Sequence, residues 1–536
     1  MLSYCCQSTV ISPYMNHRPT LALPLVFIVA ASCLLISSCG KPEKKKPNVL
    51  FISIDDLRPD IGVYDNPLIH TPNLDALAAN GMVFRQAYCQ AAVCAPSRAS
   101  LMTGLRPDST RVWHLGDKFR ELHPDIVTMP QYFHQFGYHT VNIGKIFHNY
   151  MPDSISWDEP DLRPAQFARP EWLKRDGETF YVNEETQRKQ KIKRDSLVQI
   201  RPNYYADGYN NGPAWEAEDV DDTLYYDGAQ AVLAMRTLDR LAKQDQPFYL
   251  GMGFFRPHLP FAAPKKYWDL YDRNAIPLAT NPFIPENAPV MSMNSMYELR
   301  VYDGFSYLIH PSVSNISEDT ARTLKHGYYA SVSYVDAQVG KLIQKLKDLG
   351  IYDNTIIIVW GDHGWKLGEH HSWCKQTNYA VDLQVPLILA SPDQPNRGKQ
   401  TFALTELVDL FPSLCDLAGI PKPGYLEGTS FVPLLENPDQ PWKDAVFSQF
   451  HRRPRISPDG GRYMGYSIKT KDHHYIEWYQ WNAETGMRGD SVTCELYDSV
   501  EDPNENVNIA MKQPALAARI SRELKAGWHG WNIPTQ

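Results

Sequence analysis

Asn48-Val-Leu-Phe-Ile-Ser-Ile54, halted by Asp55-Asp56, is the stretch that decides the fold. An apolar run of this length without polar alternation suits a strand covered on both faces, as in a parallel sheet flanked by helices. Thr355-Ile-Ile-Ile-Val-Trp360 repeats the pattern and ends at Gly361-Asp362-His363. Between the two runs, helix and strand signals alternate. Thr71-Pro72 opens a helix with Leu74, Leu77 and Ala78 on one face and Gly81 beyond its end. Met129–Phe136 predicts a short helix stopped by Gly137, and Thr140–Ile143 and Phe248–Phe255 predict strands. Val335, Val339, Leu342, Leu346 and Leu349 form a helical stripe that Gly350 closes. This alternation predicts an α/β sandwich around a large, mostly parallel central sheet.

Working outward, the polar region from about Pro152 to Asp221 is weakly periodic and reads as an insertion lining one side of a cleft. Beyond Pro438 the character changes. Short alternating strands at Ala445–Phe450, Tyr466–Thr470, His474–Trp478 and Thr493–Tyr497, with a helix near Pro514–Lys525, predict a smaller α+β domain over 438–536. The main domain is then 47–437. At the other end, Leu21–Ile36 is apolar and follows His17-Arg18, with the length of a secretory h-region rather than a membrane span. It runs into Leu35-Ile36-Ser37-Ser38-Cys39-Gly40, which resembles a bacterial lipoprotein signal. Residues 1–39 are therefore expected to be a signal peptide cleaved before Cys39, with Met15 the better start. Cys39 would carry the lipid anchor to the membrane and residues 40–46 form a polar tether. The expected location is the bacterial cell envelope, periplasmic or on the outer membrane.

The 536 residues are 43% hydrophobic and 21% charged, too apolar for disorder and long enough for one large core plus a satellite. A net charge of −8 argues against a nucleic-acid partner. Setting aside the leader leaves Cys89, Cys94, Cys374, Cys415 and Cys494, which form neither a disulfide framework nor a CxxC zinc pattern. One or two bridges stay open among Cys89, Cys374, Cys415 and Cys494.

Asp55-Asp56 and Asp362-His363 stand just past the carboxyl ends of two strands, where ligands gather in open α/β sheets. Three carboxylates and an imidazole converging there would repel one another unless a cation sits between them. Hard oxygens favour Ca²⁺ or Mg²⁺, and the single nitrogen leaves Mn²⁺ or Zn²⁺ open. Either pair alone would more often be structural, capping a helix or a turn. Cys94-Ala-Pro-Ser-Arg98 precedes Thr103-Gly104, so Cys94 is expected at the positive end of a short helix beside Arg98. Such a placement would activate a nucleophile and bind an oxyanion, although a lone Cys is more usually a small buried hydrophobe.

The C-x-P-S-R run with Thr-Gly after it is similar to the signature of the type I sulfatases, in which the cysteine is oxidised to formylglycine. Lys145 and His148 in Gly-Lys-Ile-Phe-His resemble the family's sulfate-binding lysine and neighbouring histidine. His258 in Arg-Pro-His-Leu-Pro-Phe resembles the histidine facing the ester bridge. Asp362-His363 and Lys375 resemble the second metal pair and second sulfate-binding lysine, with Asp-His replacing the commoner Asp-Asn. Arg106–Arg111, Tyr329–Tyr334 and Met464–Ile468 look most like the iduronate-2-sulfatase branch, and the likeness runs from about Pro47 almost to the C-terminus.

The resemblance implies an alkaline-phosphatase-like sandwich with a small C-terminal α+β domain. It also implies one Ca²⁺ held by Asp55, Asp56, residue 94, Asp362 and His363, and catalytic roles for Cys94, Arg98, Lys145, His148, His258 and Lys375. Arg98 would orient residue 94, His258 would protonate the leaving sugar oxygen, and His148 would accept a proton during sulfate release. A maturation enzyme would make the formylglycine, and the substrate would be a sulfated glycan, first of all a 2-O-sulfated uronic acid. The rivals are an algal polysaccharide such as ulvan, a phosphodiester or phosphonate monoester substrate, and a non-catalytic glycan-binding surface lipoprotein. His370 and His371 have no assigned role and read as packing groups or as hydrogen-bonding support behind the site. His451-Arg-Arg-Pro-Arg455 is either a solvated charge run or a contact for an acidic saccharide.

Overall fold

The two apolar runs become neighbours. In the computed structural model, β1 (Asn48–Ile54) and β5 (Thr355–Gly361) pair in parallel with Ile54 opposite Gly361, and every residue of both is buried. Their alternate residues feed two cores, as the pleat requires. Leu50, Ile52, Ile357 and Val359 pack with α1 (Pro72–Ala79), α4 (Tyr226–Leu241) and α5 (Glu318–Asp348). Val49, Phe51, Ile356 and Ile358 pack with α2 (Cys94–Thr103), α3 (Met129–Gln135) and α6 (Leu410–Ala418) on the opposite face. Residues 45–148, 151–165, 180–200, 212–454, 459–482 and 484–528 are described by the structure.

The remaining strands are β2 (Met82–Tyr88), β3 (His139–Gly144), β4 (Phe248–Phe254), β6 (Gln384–Val385), β7 (Leu387–Ala390) and β8 (Lys399–Glu406). Side by side they run β8-β2-β7-β5-β1-β4-β3, and β6 pairs β2 just before Pro386 and β7. Pro386 has no amide hydrogen to donate, so it splits that ladder in two. β7 alone with β6 runs antiparallel, and the other pairings are parallel. The seam between β3 and β4 is unusually close. Gly144 turns with φ +77°, and a Cβ on Gly253 would strike the backbone of Lys145, so both positions need glycine.

Helix α5 begins well before its predicted stripe. Ser317 caps it by accepting from Thr320 N at 3.2 Å, and Tyr328, Tyr329 and Tyr334 are buried ahead of the stripe. A helix covered on several sides shows no single apolar stripe, which is why periodicity revealed only its second half. In the polar region 152–221, residues Glu184–Ile200 form a helix that the weak pattern did not reveal.

Four antiparallel strands form a second sheet: β9 (Ala445–Arg452), β10 (Tyr463–Thr470), β11 (His473–Asn482) and β12 (Met487–Asp498). Helix α7 (Pro514–Gly527) covers one face of it with Ile520 and Leu524. β9 is tied to the segment before α2, since Gln449 N donates to Gln90 O at 2.8 Å. The expected signal peptide, Cys39, tether residues 40–44 and Arg455 lie outside the described residues. No helix among the described residues is long and apolar enough to cross a membrane. Cys89, Cys94, Cys374, Cys415 and Cys494 are all unbonded, so none of the open pairings forms.

Candidate active site

Four adjacent parallel strands, β5-β1-β4-β3, deliver their carboxyl ends to one place. Asp362-His363 follow β5, Asp55-Asp56 follow β1, His258 follows β4 and Lys145 follows β3. Helix α2 points its N-terminus at the same spot, and Cys94 is its first residue rather than the one before it. Gly104 ends the helix in the left-handed region, φ +70°. Cys94 Sγ lies 3.3 Å from His363 Nε2 and 3.7 Å from Lys145 Nζ.

Ligand atoms of Asp55, Cys94, Asp362 and His363 all lie within 4.8 Å of one another, and all four residues are buried. His363 Nδ1 is 3.0 Å from the Gly364 carbonyl, which assigns it the hydrogen and leaves the Nε2 lone pair facing the cluster. Nε2 is 3.5 Å from both Asp56 Oδ1 and Asp362 Oδ2. Asp56 Oδ2 is buried with no hydrogen-bond partner. An orphaned carboxylate oxygen and an imidazole lone pair, which here faces only the Cys94 thiol and carboxylates, fit a divalent cation.

Charge repulsion, which the sequence offered as the argument for a cation, is met largely by the chain itself. Arg98 is wholly buried and donates to Asp362 Oδ2 at 2.9 Å and Asp55 Oδ1 at 3.1 Å. Its remaining donors go to Ser53 Oγ and to the carbonyls of Lys145 and Ile146. Arg98 thus fixes the carboxylates, and none of these bonds goes to Cys94. Lys145 Nζ pairs with Asp55, and Lys375 Nζ donates to Asp56 Oδ1 at 2.5 Å. Burial disfavours the Asp55 carboxylate, but Lys145, His258 and Arg98 outweigh it and hold its pKa well below the usual range. At Asp56 burial prevails over Lys375 and the pKa rises.

The cysteine corrects an expectation. Its place at a helix N-terminus beside Arg98 predicted an activated thiol, yet burial, with Asp55 adding to it, pushes the Cys94 thiol well up. Lys145 and Lys375 do not offset that burial, so the unmodified side chain stays protonated.

Glu298 is the member that sequence reasoning missed. It sits on the short helix Tyr297–Arg300, and its Oε1 accepts from Lys375 Nζ at 3.0 Å and lies 2.9 Å from His258 Nε2. The other ring nitrogen of His258 faces the Leu259 carbonyl at 2.6 Å. An imidazole with an acceptor at each nitrogen carries both hydrogens and is a cation. Burial opposes that charge, but Asp56 and Asp55 outweigh it and raise the His258 pKa. His148 is the opposite case: burial and then Lys145 drive its pKa far down, and its Nδ1 is buried without a partner. His370 packs on the Tyr379 ring and contacts the Asn504 carbonyl, apart from this cluster.

The profile of the family described as Sulfatase matches residues 47–420. This chain belongs to the sulfatase family. A second profile, the C-terminal part of N-sulphoglucosamine sulphohydrolase, matches residues 368–528 of this sulfatase. It is 32% identical to iduronate 2-sulfatase of Mus musculus, over 91% of this chain and 95% of that protein. Among solved structures, a 2-O GAG sulfatase superposes with a TM-score of 0.63 at 22% identity, covering 90% of this chain and 91% of that one. The phosphonate monoester hydrolase of Agrobacterium radiobacter superposes with a TM-score of 0.64 at 24% identity, covering 90% and 95%. The sulfatase is a sulfuric ester hydrolase with the alkaline-phosphatase-like fold.

Proposed function

We propose that this sulfatase uses a formylglycine made from Cys94, together with one Ca²⁺, to remove 2-O-sulfate from uronic acid units of a sulfated glycan. It would do so in a bacterial cell envelope, anchored by lipid on Cys39 and matured by a formylglycine-generating enzyme. The observation that carries the reading is the convergence of Cys94, three carboxylates, two lysines and two histidines of opposite protonation at one sheet edge. The substrate class is supported by the likeness to iduronate 2-sulfatase over nearly the whole chain.

Asp55, Asp56, residue 94, Asp362 and His363 would hold the Ca²⁺, which when bound supplies positive charge against the sulfate oxygens. The formylglycine hydrate supplies an attacking hydroxyl and, through its second hydroxyl, an exit by return to the aldehyde. Lys145 and Lys375 present their ammonium groups to sulfate as charge builds. His258, already cationic, would turn its Nε2–H from Glu298 Oε1 to the departing sugar oxygen and give it that proton. His148, neutral and with Nδ1 unengaged, accepts the proton lost as sulfate is released. Arg98 keeps Asp55 and Asp362 in register with α2.

Glu298 makes this scheme testable at a residue outside the family motifs. Glu298→Gln keeps the shape but removes a charge-assisted bond worth about 1.5–3 kcal/mol, which corresponds to about one or two pKa units at His258. The acid must be protonated, so activity is lost as pH rises through its pKa, and a lower pKa brings that loss to lower pH. The alkaline limb of the kcat profile is expected to move down by about one unit or more for alkyl sulfates. Aryl sulfates with good leaving groups should barely respond. An unmoved alkaline limb with alkyl esters would remove Glu298 from the acid's support.

The decisive assay is sulfate release by co-matured protein from uronate-2-sulfated disaccharides and from ulvan oligosaccharides in parallel. Release from the uronate set alone is expected. Release only from the algal set would keep the sulfatase chemistry and discard the substrate.

A further inference from the structure

Lys375 is carried by a backbone that side chains rarely adopt. Cys374 before it has φ +70° and Gln376 after it has φ +81°, both in the left-handed region. Met296, two residues before Glu298, is left-handed as well, with φ +48°. Such conformations persist only where their surroundings hold them. One side chain holds both segments. Asn294 is buried, and its Nδ2 donates to the carbonyl of Trp373 at 3.1 Å and to that of Lys375. Its Oδ1 accepts from Met296 N and from Ser372 Oγ, each at 2.9 Å. All four of its hydrogen-bonding positions are thereby spent. Among short side chains only a carboxamide offers two donors and two acceptors in this way.

The clasp stands where distance matters. One of the segments it joins leads to Glu298 and the other to Lys375, and their charged ends meet at 3.0 Å. The amide of Gln376 donates to the Ala92 carbonyl at 3.2 Å, so the lysine's segment is also fastened just ahead of residue 94. Lys375 is 2% exposed, and its ammonium reaches Asp56 as well as Glu298. A long, flexible side chain keeps such a place only if its backbone is fixed.

We infer that Asn294 is a positioning residue of the sulfatase reaction, which holds the Lys375 ammonium in place at the sulfate. It acts through the lysine and not on the substrate. The inference rests on the proposed role of Lys375 at the sulfate. Misplacing a group that meets the substrate by about 1 Å can cost about 100-fold, which bounds the expected effect.

The test uses co-matured, Ca²⁺-loaded protein and a double-mutant cycle in kcat/KM for an aryl sulfate. Such an ester needs no acid, so it separates the lysine from His258 and Glu298. Asn294→Ala alone should lower kcat/KM about 10-fold to 100-fold. In a Lys375→Ala background the same substitution should lower it less than about twofold, because the group it positions is gone. Equal losses in the two backgrounds overturn the inference, since damage spread through the fold does not depend on Lys375. The second readout needs no turnover: reductive methylation at Lys375, followed by peptide mass analysis. It should run at least about threefold faster in Asn294→Ala, as lost hydrogen bonds ease local opening. Labelling at the parent rate also overturns the inference. Ser372→Ala removes one of the four bonds and serves if Asn294→Ala does not fold, with the same pattern expected at about twofold to fivefold. An unchanged kcat/KM in Lys375→Ala would instead remove Lys375 from the sulfate, which is a failure of the proposed function and takes this inference with it.

Discussion

Replacing Cys94 by Ser is expected to abolish turnover and to leave protein that has taken up one sulfo group. A serine oxygen at the first position of α2 would stand where Sγ stands, within reach of Lys145 and His363. It can attack sulfur, but the resulting sulfate ester has no second hydroxyl through which to expel sulfate. Loss of a nucleophile's function costs on the order of 10⁴–10⁶ in kcat. Intact-protein mass analysis after mixing with substrate checks both halves: one equivalent of alcohol released, one sulfo group retained. Sustained turnover by the serine variant would sink the formylglycine mechanism. The native thiol is no better placed to act directly, since burial and Asp55 keep it protonated.

The second large effect falls on stability. Arg98→Met removes the only side chain among the described residues that bonds both Asp55 and Asp362, and it leaves two carboxylates buried without that partner. Breaking a buried pair by deleting one member costs about 3–5 kcal/mol. The variant should therefore unfold at markedly lower denaturant or temperature than the parent in the presence of a chelator. Added Ca²⁺ should stabilise the variant more than the parent, because the ion takes over charge that Arg98 had balanced. A ligand at 100 times its Kd contributes about 2.7 kcal/mol. If verified chelation and re-addition of Ca²⁺ shift neither protein's unfolding, the cation assignment to these residues is wrong.

How legible the molecule was depended on how local each signal is. β1 and β5 were readable because a strand covered on both faces writes itself as an unbroken apolar run, and the acids at its end mark the sheet edge. The pattern also carried α1, α3 and the strands of the second sheet. Three things were not local. The antiparallel course of β7 follows from how a strand returns, which no window of residues encodes. Glu298 lies in no motif and gains its meaning from contacts with His258, forty residues away, and with Lys375. The Cys94 thiol was misjudged because helix position is local whereas burial is not, and burial is the larger influence. Arg98 was placed in the right neighbourhood, but its hydrogen bonds show it serving the carboxylates rather than residue 94.

The order of strands has a consequence in time. β5 occupies the slot between β1 and β7, and with it come His363 and, farther on, Lys375, which close over residue 94. A nascent chain emerging from its N-terminus therefore displays Cys94 long before the residues that cover it. Roughly 260 residues separate Cys94 from Thr355, a delay on the order of 10–50 s at ordinary rates of synthesis. Once β5 has inserted, Cys94 is 1% exposed. An enzyme that modifies it meets an open side chain only before β5 is in place, on a chain whose central seam is still unfilled.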